Sequence, residues 1–389
     1  MALATQKSFR DYAVDFRFWA SRTFNRAWTR PDWVSVNLTL RCNLTCEMCR
    51  VCYDVPNELS LAEVKSLMDQ VHEWGVPIFN PLGGEPFHRK DILEILEYAS
   101  DKSFQTTVTN NGTMIGPKRA EALARLTRVH LNFSVDGLEE ENDRIRGKGV
   151  FRKVWNTIAT IRAEEAKLGD YRKWISINCI VSERSFRDLL TIAEMARRAG
   201  CNMIQFLNLF GYESKEGKPT TDPMWIQPES LSEFDTAMDR VADWARRLPG
   251  TGFHCANAPE DLELLKDYYR HRVEPHRAKC YNGFKEMYIN SDGETLICDA
   301  HLNFTKESYG NVRSLSLRDL WEGQKARELR RNVIECTSPC IQDCYLRRDS
   351  DSLVPILTGL AKTRFLESPV GRALFEGRAQ VGVPAPSAG

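Results

Sequence analysis

Cys42, Cys46, Cys49 and Cys52 fall within eleven residues, CNLTCEMCRVC, in the order C-x3-C-x2-C-x2-C. Structural disulfides, zinc and iron–sulfur clusters all use closely spaced thiols. Zinc sites usually pair C-x2-C knuckles from two separated loops. Here the thiols come from one loop, as when a single loop wraps a cube of iron and sulfide. Three cysteines can ligate three irons and leave the fourth iron open. An open coordination position separates a reactive site from a structural one. A fourth thiolate, from Cys52, would close the cube and leave it only electron transfer.

A second group, Cys280, Cys298, Cys336, Cys340 and Cys344, lies in the last third of the chain. Cys280 and Cys298 frame a C-x12-G-x4-C pattern in which Gly293 permits a hairpin turn between them. Five thiols suffice for one four-iron cluster with one to spare. The alternative for this group is zinc, which also accepts four thiolates. Cys179 and Cys201 are isolated and read as packing residues. Cys255 is a weak candidate for a hydrogen-atom donor facing a cavity; His254 beside it reads as structural.

The surrounding composition is that of a soluble globular chain. Lysine plus arginine equals aspartate plus glutamate at 53 each, so nothing draws the whole surface toward nucleic acid. No apolar run reaches the ~18 residues of a membrane span. The start, MALATQKSFRDYAVDF, lacks the apolar core of a signal peptide. A cytoplasmic location with reduced thiols is the expectation.

Short apolar runs alternate with helical patterns between about residues 33 and 210. The strand candidates are 34–40, 77–84, 105–111, 128–137, 174–182 and 203–210. Strand–helix alternation implies parallel strands with helical crossovers, hence an α/β fold built as a partial (βα)6 TIM-like barrel. Ligands in such folds sit at the carboxyl ends of the strands, and the first cysteine group directly follows the first strand. The divisions expected are an amphipathic helical extension (1–32), the partial barrel (33–210), a helical linker (211–275), a small α+β domain (276–346) and a helical tail (347–389) with a disordered end. Phe9, Tyr12, Phe16, Trp19, Phe24 and Trp28 mark roughly one helical face over 8–28. The plain reading is a helix packed on the barrel; a membrane-surface role is the minor one.

C-x3-C-x2-C over Cys42, Cys46 and Cys49 resembles the cluster-binding motif of the radical S-adenosylmethionine (radical SAM) family. Further matches follow in order. Gly83-Gly84-Glu85-Pro86 resembles the family's GGEP motif, and Thr109-Asn110-Asn111-Gly112 its TNG-type strand end. Ser134 and Asp136 end the fourth strand, Asn178 lies on the fifth, and Asp143 with Arg146-Gly147 resembles a following element. The resemblance implies a SAM-binding [4Fe-4S] cluster on the three cysteines. It also implies SAM contacts from Gly83, Gly84, Glu85, Pro86, Asn110, Ser134, Asp136 and Asn178. His88 and Arg89 lie nearby without an assigned role.

The second cysteine group, with YGNVRSLSLRDLWEG between its members, resembles the auxiliary-cluster domain called SPASM or its shorter twitch form. That implies one auxiliary [4Fe-4S] cluster. Cys280 and Cys298 are its firmest ligands; the other two come from Cys336, Cys340 and Cys344, with Cys340 and Cys344 preferred.

The activity implied is reductive cleavage of SAM to a 5′-deoxyadenosyl radical, which abstracts hydrogen from an unactivated C–H bond. The electron would come from an external reductant of the flavodoxin or ferredoxin type. Only some 32 residues precede the first strand, fewer than the leader-binding domain of many peptide-modifying relatives needs. A small molecule, sugar- or aminocyclitol-like, is therefore the expected substrate, dehydrogenated or epimerised. A ribosomal-peptide maturase is the alternative, and a two-cluster electron-transfer protein the non-enzymatic one.

Overall fold

The computed structural model describes residues 7–49, 56–169, 173–209, 222–273, 279–298, 307–336, 341 and 352–367. Its elements begin with α1 (Phe9–Thr23), β1 (Trp33–Thr39), α2 (Leu61–Glu73), β2 (Ile78–Gly83), α3 (Ile92–Asp101), β3 (Thr106–Asn110), α4 (Pro117–Arg125) and β4 (Val129–Ser134). Next come α5 (Glu139–Arg146), α6 (Val150–Lys167), β5 (Ile175–Val181), α7 (Leu189–Arg198), β6 (Met203–Asn208), α8 (Leu231–Arg246), β7 (His254–Cys255) and α9 (Pro259–Tyr269). The last are β8 (Glu286–Ile289), β9 (Glu294–Leu296), β10 (Ser308–Asn311), α10 (Leu317–Glu322), α11 (Gln324–Ile334) and α12 (Leu353–Glu367).

The strands form two five-stranded sheets, ordered β10-β9-β8-β1-β2 and β3-β4-β5-β6-β7. A parallel bridge between Ile78 and Gln105 joins them at β2 and β3. All neighbours from β1 to β7 within the sheets run parallel, which is the partial barrel expected; no closed barrel forms among the described residues. Helical crossovers explain the direction, since each strand must return to the same edge.

Alternation along the strands sorts the side chains. Val36, Phe79, Val108, Leu131, Ile177 and Phe206 point to the helices and are fully or almost fully buried. Between them stand Asn37, Asn80, Thr107, Asn132, Asn178 and Gln205, on the opposite face. The helices present matching apolar stripes, as with Val64, Leu67, Met68 and Val71 on α2. Ser60 starts that helix with a capping box: Glu63 N donates to Ser60 Oγ, and Ser60 N donates to the Glu63 carboxylate.

Some elements depart from the sequence reading. β7 is a two-residue strand inside the segment read as helical linker. β8 pairs parallel with β1, so the cysteine-flanked hairpin extends the barrel's own sheet. SLRDLWEGQKARELRR reads as one helix but breaks at Gly323, where an added Cβ would lie 2.7 Å from Asp319 O. Among the described residues, no helix is long and apolar enough to cross a membrane.

Candidate metal centre and cofactor pocket

The first cysteine loop leaves β1 at its carboxyl end, on the rim. Cys42 and Cys46 are half-buried and Cys49 is exposed; Cys52 lies outside the described residues. Several ties fix the loop. Arg41 N donates to Thr39 Oγ1 at 3.1 Å, and the Arg41 guanidinium pairs with Glu58. Asn43 donates to Thr113 Oγ1 at 2.8 Å. Glu47 N donates to Ile145 O at 2.9 Å, and Glu47 Oε1 accepts from Arg184 at 3.0 Å.

The sulfur atoms have polar neighbours. Cys42 Sγ accepts from Leu44 N at 3.4 Å and from Asn111 Nδ2 at 3.7 Å. Burial pushes the Cys46 thiol up, and the nearby Arg146 guanidinium works against that shift. N–H donors and a fixed cation beside sulfur are what a cluster with negatively charged ligands requires. The donor set therefore fits an iron–sulfur cluster. Among the described residues, no three Cys, His, Asp or Glu side chains converge as the ligands of one mononuclear ion do.

Gly83-Gly84-Glu85-Pro86 follows β2, and its glycines serve the cysteine loop directly. A Cβ at Gly84 would lie 2.5 Å from both Leu40 O and Arg41 O. At Gly83 it would lie 1.9 Å from Thr39 O, and φ is +138°. The close approach lets Gly84 N donate to Thr39 O and Glu85 N to Arg41 O, each at 2.9 Å. Glu85 is buried, accepting from Phe87 N at 2.9 Å and Asn111 N at 2.7 Å. Burial raises its pKa to about 7. Its carboxylate braces two strand ends, at a residue for which the resemblance implies a SAM contact. Pro86 opens the short 3-10 turn that follows.

The third-strand motif needs one correction. Asn110 shares the helix-facing side with Val108 and spends its amide on Val108 O and Asn132 O. Its Oδ1 accepts from Gly112 N at 2.9 Å. Strand alternation turns it away from the rim pocket. Asn111, one residue past the strand, reaches Cys42 instead, and also donates to Asn43 Oδ1 at 3.0 Å.

Ser134 and Asn178 meet as cross-strand partners on the polar face. Asn178 Oδ1 is buried without a hydrogen-bond partner, an acceptor that suits a ligand hydroxyl or amine. Asp136, by contrast, has no exposure. Its Oδ2 lies 2.6 Å from Arg146 Nη2, and its Oδ1 accepts from Ile180 N at 2.8 Å. It is therefore a support for Arg146 rather than an open ligand contact. Asp143 caps α6, accepting from Phe151 N at 2.9 Å.

In the second group, Cys280, Cys298 and Cys336 are half-buried; Cys340 and Cys344 lie outside the described residues. Cys280 precedes β8 and Cys298 follows β9, so the hairpin carries one at each base. Arg22 Nε of α1 donates to Cys280 O at 2.9 Å. Cys255 registers with Ile204 on the apolar face and packs in the core. Burial raises its pKa to about 11. Cys179 and Cys201 are core residues, as expected. His254 stacks on Trp174 at 5.7 Å. Arg89 brackets the end of β1, donating to Leu38 O and Leu59 O at 3.0 and 2.7 Å; His88 is half-buried.

Asn111 and Arg146 stood inside quoted motifs, yet nothing marked them as the residues beside Cys42 and Cys46. Glu47 and Arg184 carry no sequence signal; their pairing spans 137 positions.

Comparison with known proteins finds two matching domains. Residues 36–168 match the radical SAM superfamily, and 280–345 match SPASM, described as an iron-sulfur cluster-binding domain. The chain is 28% identical over 306 residues to an Fe-coproporphyrin III synthase of Methanosarcina barkeri, covering 73% of this chain and 72% of that one. It is 27% identical over 317 residues to a PqqA peptide cyclase of Granulibacter bethesdensis, covering 80% and 79%. Among solved structures, Streptococcus suis SuiB bound to precursor peptide SuiA shares the fold at a TM-score of 0.62 and 16% identity, over 82% of this chain and 69% of that one. The chain belongs to the radical SAM superfamily, carries a SPASM iron–sulfur domain, and is an enzyme whose cofactors are SAM and iron–sulfur clusters.

Proposed function

We propose that this enzyme modifies a ribosomally made peptide, oxidising or cross-linking one of its residues, with one auxiliary cluster assisting. The observation that carries the reading is the polar face of the sheet. It presents Asn80, Asn132, Asn178 and Gln205, while Asn37 beside them is buried with its amide bonded to Asn290 and Tyr288, and none of the ten described strands contains a lysine or arginine. Amide side chains both donate and accept, so they pair with peptide main chain. The similarity to the PqqA peptide cyclase over four-fifths of this chain supports the same class. The sugar- or aminocyclitol-like substrate has no counterpart among the relatives named above and gives way to this alternative. An iron porphyrin is the second reading, because of the Fe-coproporphyrin III synthase. A porphyrin's ionised carboxylates would want cations, which the strands do not offer.

Cys42, Cys46 and Cys49 would hold the N-terminal cluster, and Ser134 and Asn178 would contact SAM beside it. With both bound, the site supplies hydrogen-atom abstraction from an unactivated C–H bond. The protein's part is placement and exclusion: the buried outer face of the strands keeps water off the sheet from behind. Cys280 and Cys298 would hold the auxiliary cluster with two of Cys336, Cys340 and Cys344. A reductant of the flavodoxin or ferredoxin type would deliver the electron.

The test is anaerobic incubation of reconstituted enzyme with SAM, dithionite and any short peptide encoded beside its gene. Formation of 5′-deoxyadenosine with loss of hydrogen from the peptide, read by mass spectrometry, is the expected result. An unchanged peptide alongside consumption of Fe-coproporphyrin III would move the assignment to the second reading. No 5′-deoxyadenosine under any condition would leave only electron transfer.

A further inference from the structure

We infer that α1, the segment following it and α12 form a platform that docks on an anionic phospholipid surface. The apolar exposure of the described chain is concentrated there. Eight large hydrophobic residues are exposed in all; Phe9, Phe16, Phe24 and Trp28 supply four, and Val354 and Leu357 of α12 two more. Phe24 and Trp28 are 56% and 50% exposed, and Val354 is 72% exposed. The rings form a continuous ladder. Phe16 lies 5.8 Å from Trp19, Trp19 lies 6.3 Å from Phe24, and Phe24 lies 5.5 Å from Trp28. The two helices are packed together, with Tyr12 against Gly359.

Charge selects the occupant. Residues 7–30 hold six basic and two acidic side chains in a chain whose net charge is zero. The acids are spent locally: Asp11 in the Ser8 capping box, and Asp15 on Lys7 at 2.7 Å. Arg10, Arg17, Arg26 and Arg30 are exposed, and none has a carboxylate within ion-pair distance among the described residues. Aromatic rings with interleaved arginines match the boundary between acyl chains and anionic headgroups. A second copy of this charge-neutral chain offers no such field of negative charge.

The platform is held rigidly. Phe18, on the buried side of α1, packs edge-on against Tyr281 at 6.4 Å, and Arg22 is anchored to the Cys280 carbonyl. The exposed rings therefore need no folding step before docking, unlike a free amphipathic peptide.

Vesicle flotation with the full-length, cluster-loaded enzyme tests this. Wild type should float with vesicles of phosphatidylcholine and phosphatidylglycerol and stay at the bottom with phosphatidylcholine alone. Phe24→Ser with Trp28→Ser, and separately Arg10→Gln, Arg17→Gln, Arg26→Gln and Arg30→Gln together, should each cut the floated fraction by roughly tenfold. Both variants should keep wild-type cluster absorbance and 5′-deoxyadenosine formation, since none of these residues lies in the cofactor site. Failure to float with anionic vesicles would overturn the proposal, as would equal binding to neutral ones. A concentration-dependent dimer abolished by Phe24→Ser with Trp28→Ser, without vesicle binding, would give the face to a second copy instead.

Discussion

Arg146 Nη2 lies 2.6 Å from Asp136 Oδ2, and the pair is almost wholly withdrawn from water. The backbone beside it, Ile145 O, holds the cysteine loop through Glu47 N. Removing one partner of such a pair leaves a buried charge uncompensated, at a cost of about 3–5 kcal/mol. Arg146→Met should lose stability in that range by urea denaturation. Asp136→Asn combined with Arg146→Met should recover part of the loss. A single variant as stable as wild type would show that the pair does not hold this corner together.

Gly84→Ala tests the link between β2 and the cysteine loop. The new methyl would meet two backbone carbonyl oxygens at 2.5 Å, and backbone cannot swing aside as a side chain can. The loop should shift and lose its cluster while the auxiliary site keeps its own. Iron analysis after reconstitution should fall by about four atoms per chain. Undiminished iron would mean that the loop tolerates the displacement.

Asn111→Ala removes an N–H···S contact to Cys42. A hydrogen bond to a ligating sulfur favours the reduced cluster, because reduction adds negative charge. If the bond is worth about 1 kcal/mol, the midpoint potential should fall by roughly 40 mV. Redox titration followed by electron paramagnetic resonance reads the shift. Thr113→Val removes the hydroxyl bonded to Asn111 Oδ1 at 2.7 Å and to Asn43 Nδ2 at 2.8 Å but leaves the sulfur contact in place, so it reads how much of the shift comes from loosened loop ties alone.

How far the sequence carries depends on where a residue's partners lie. The parallel strands were legible because alternation is local, and β3 and β4 keep it residue for residue. α5 was not legible as a helix, since EEENDRIR has no apolar stripe to detect. β7 is too short for periodicity of any kind. Asn110 and Asn111 show the limit most sharply. They are identical and adjacent, yet one faces the helices and the other Cys42, and the strand's end decides which. Cys255 was misdirected for the same reason: its pairing opposite Ile204, unseen in sequence, sends it into the core. The spacing of Cys42, Cys46 and Cys49 carried the family because one loop contains all three.

Glu85 gives a pH dependence whose sign is fixed. Its pKa rises from 4.5 to about 7 through burial, so between these values the folded state binds more protons than the unfolded chain. Stability should therefore decline as pH climbs from about 5 to 7, by up to about 3 kcal/mol from this group. Glu85→Gln mimics the protonated acid and should flatten that slope. Thermal unfolding of both proteins across the window gives the difference. Parallel curves would mean that Glu85 ionises normally.

The parallel pairing of β8 with β1, from Trp33 opposite Glu286 to Val36 opposite Ile289, joins the described strands next to the two cysteine groups in one sheet. A redox relay between two such centres would operate at a fixed tunnelling distance, insensitive to whatever occupies the pocket. Admission and release of a bulky reactant must then be the work of rim loops, with the shared sheet as a stationary chassis.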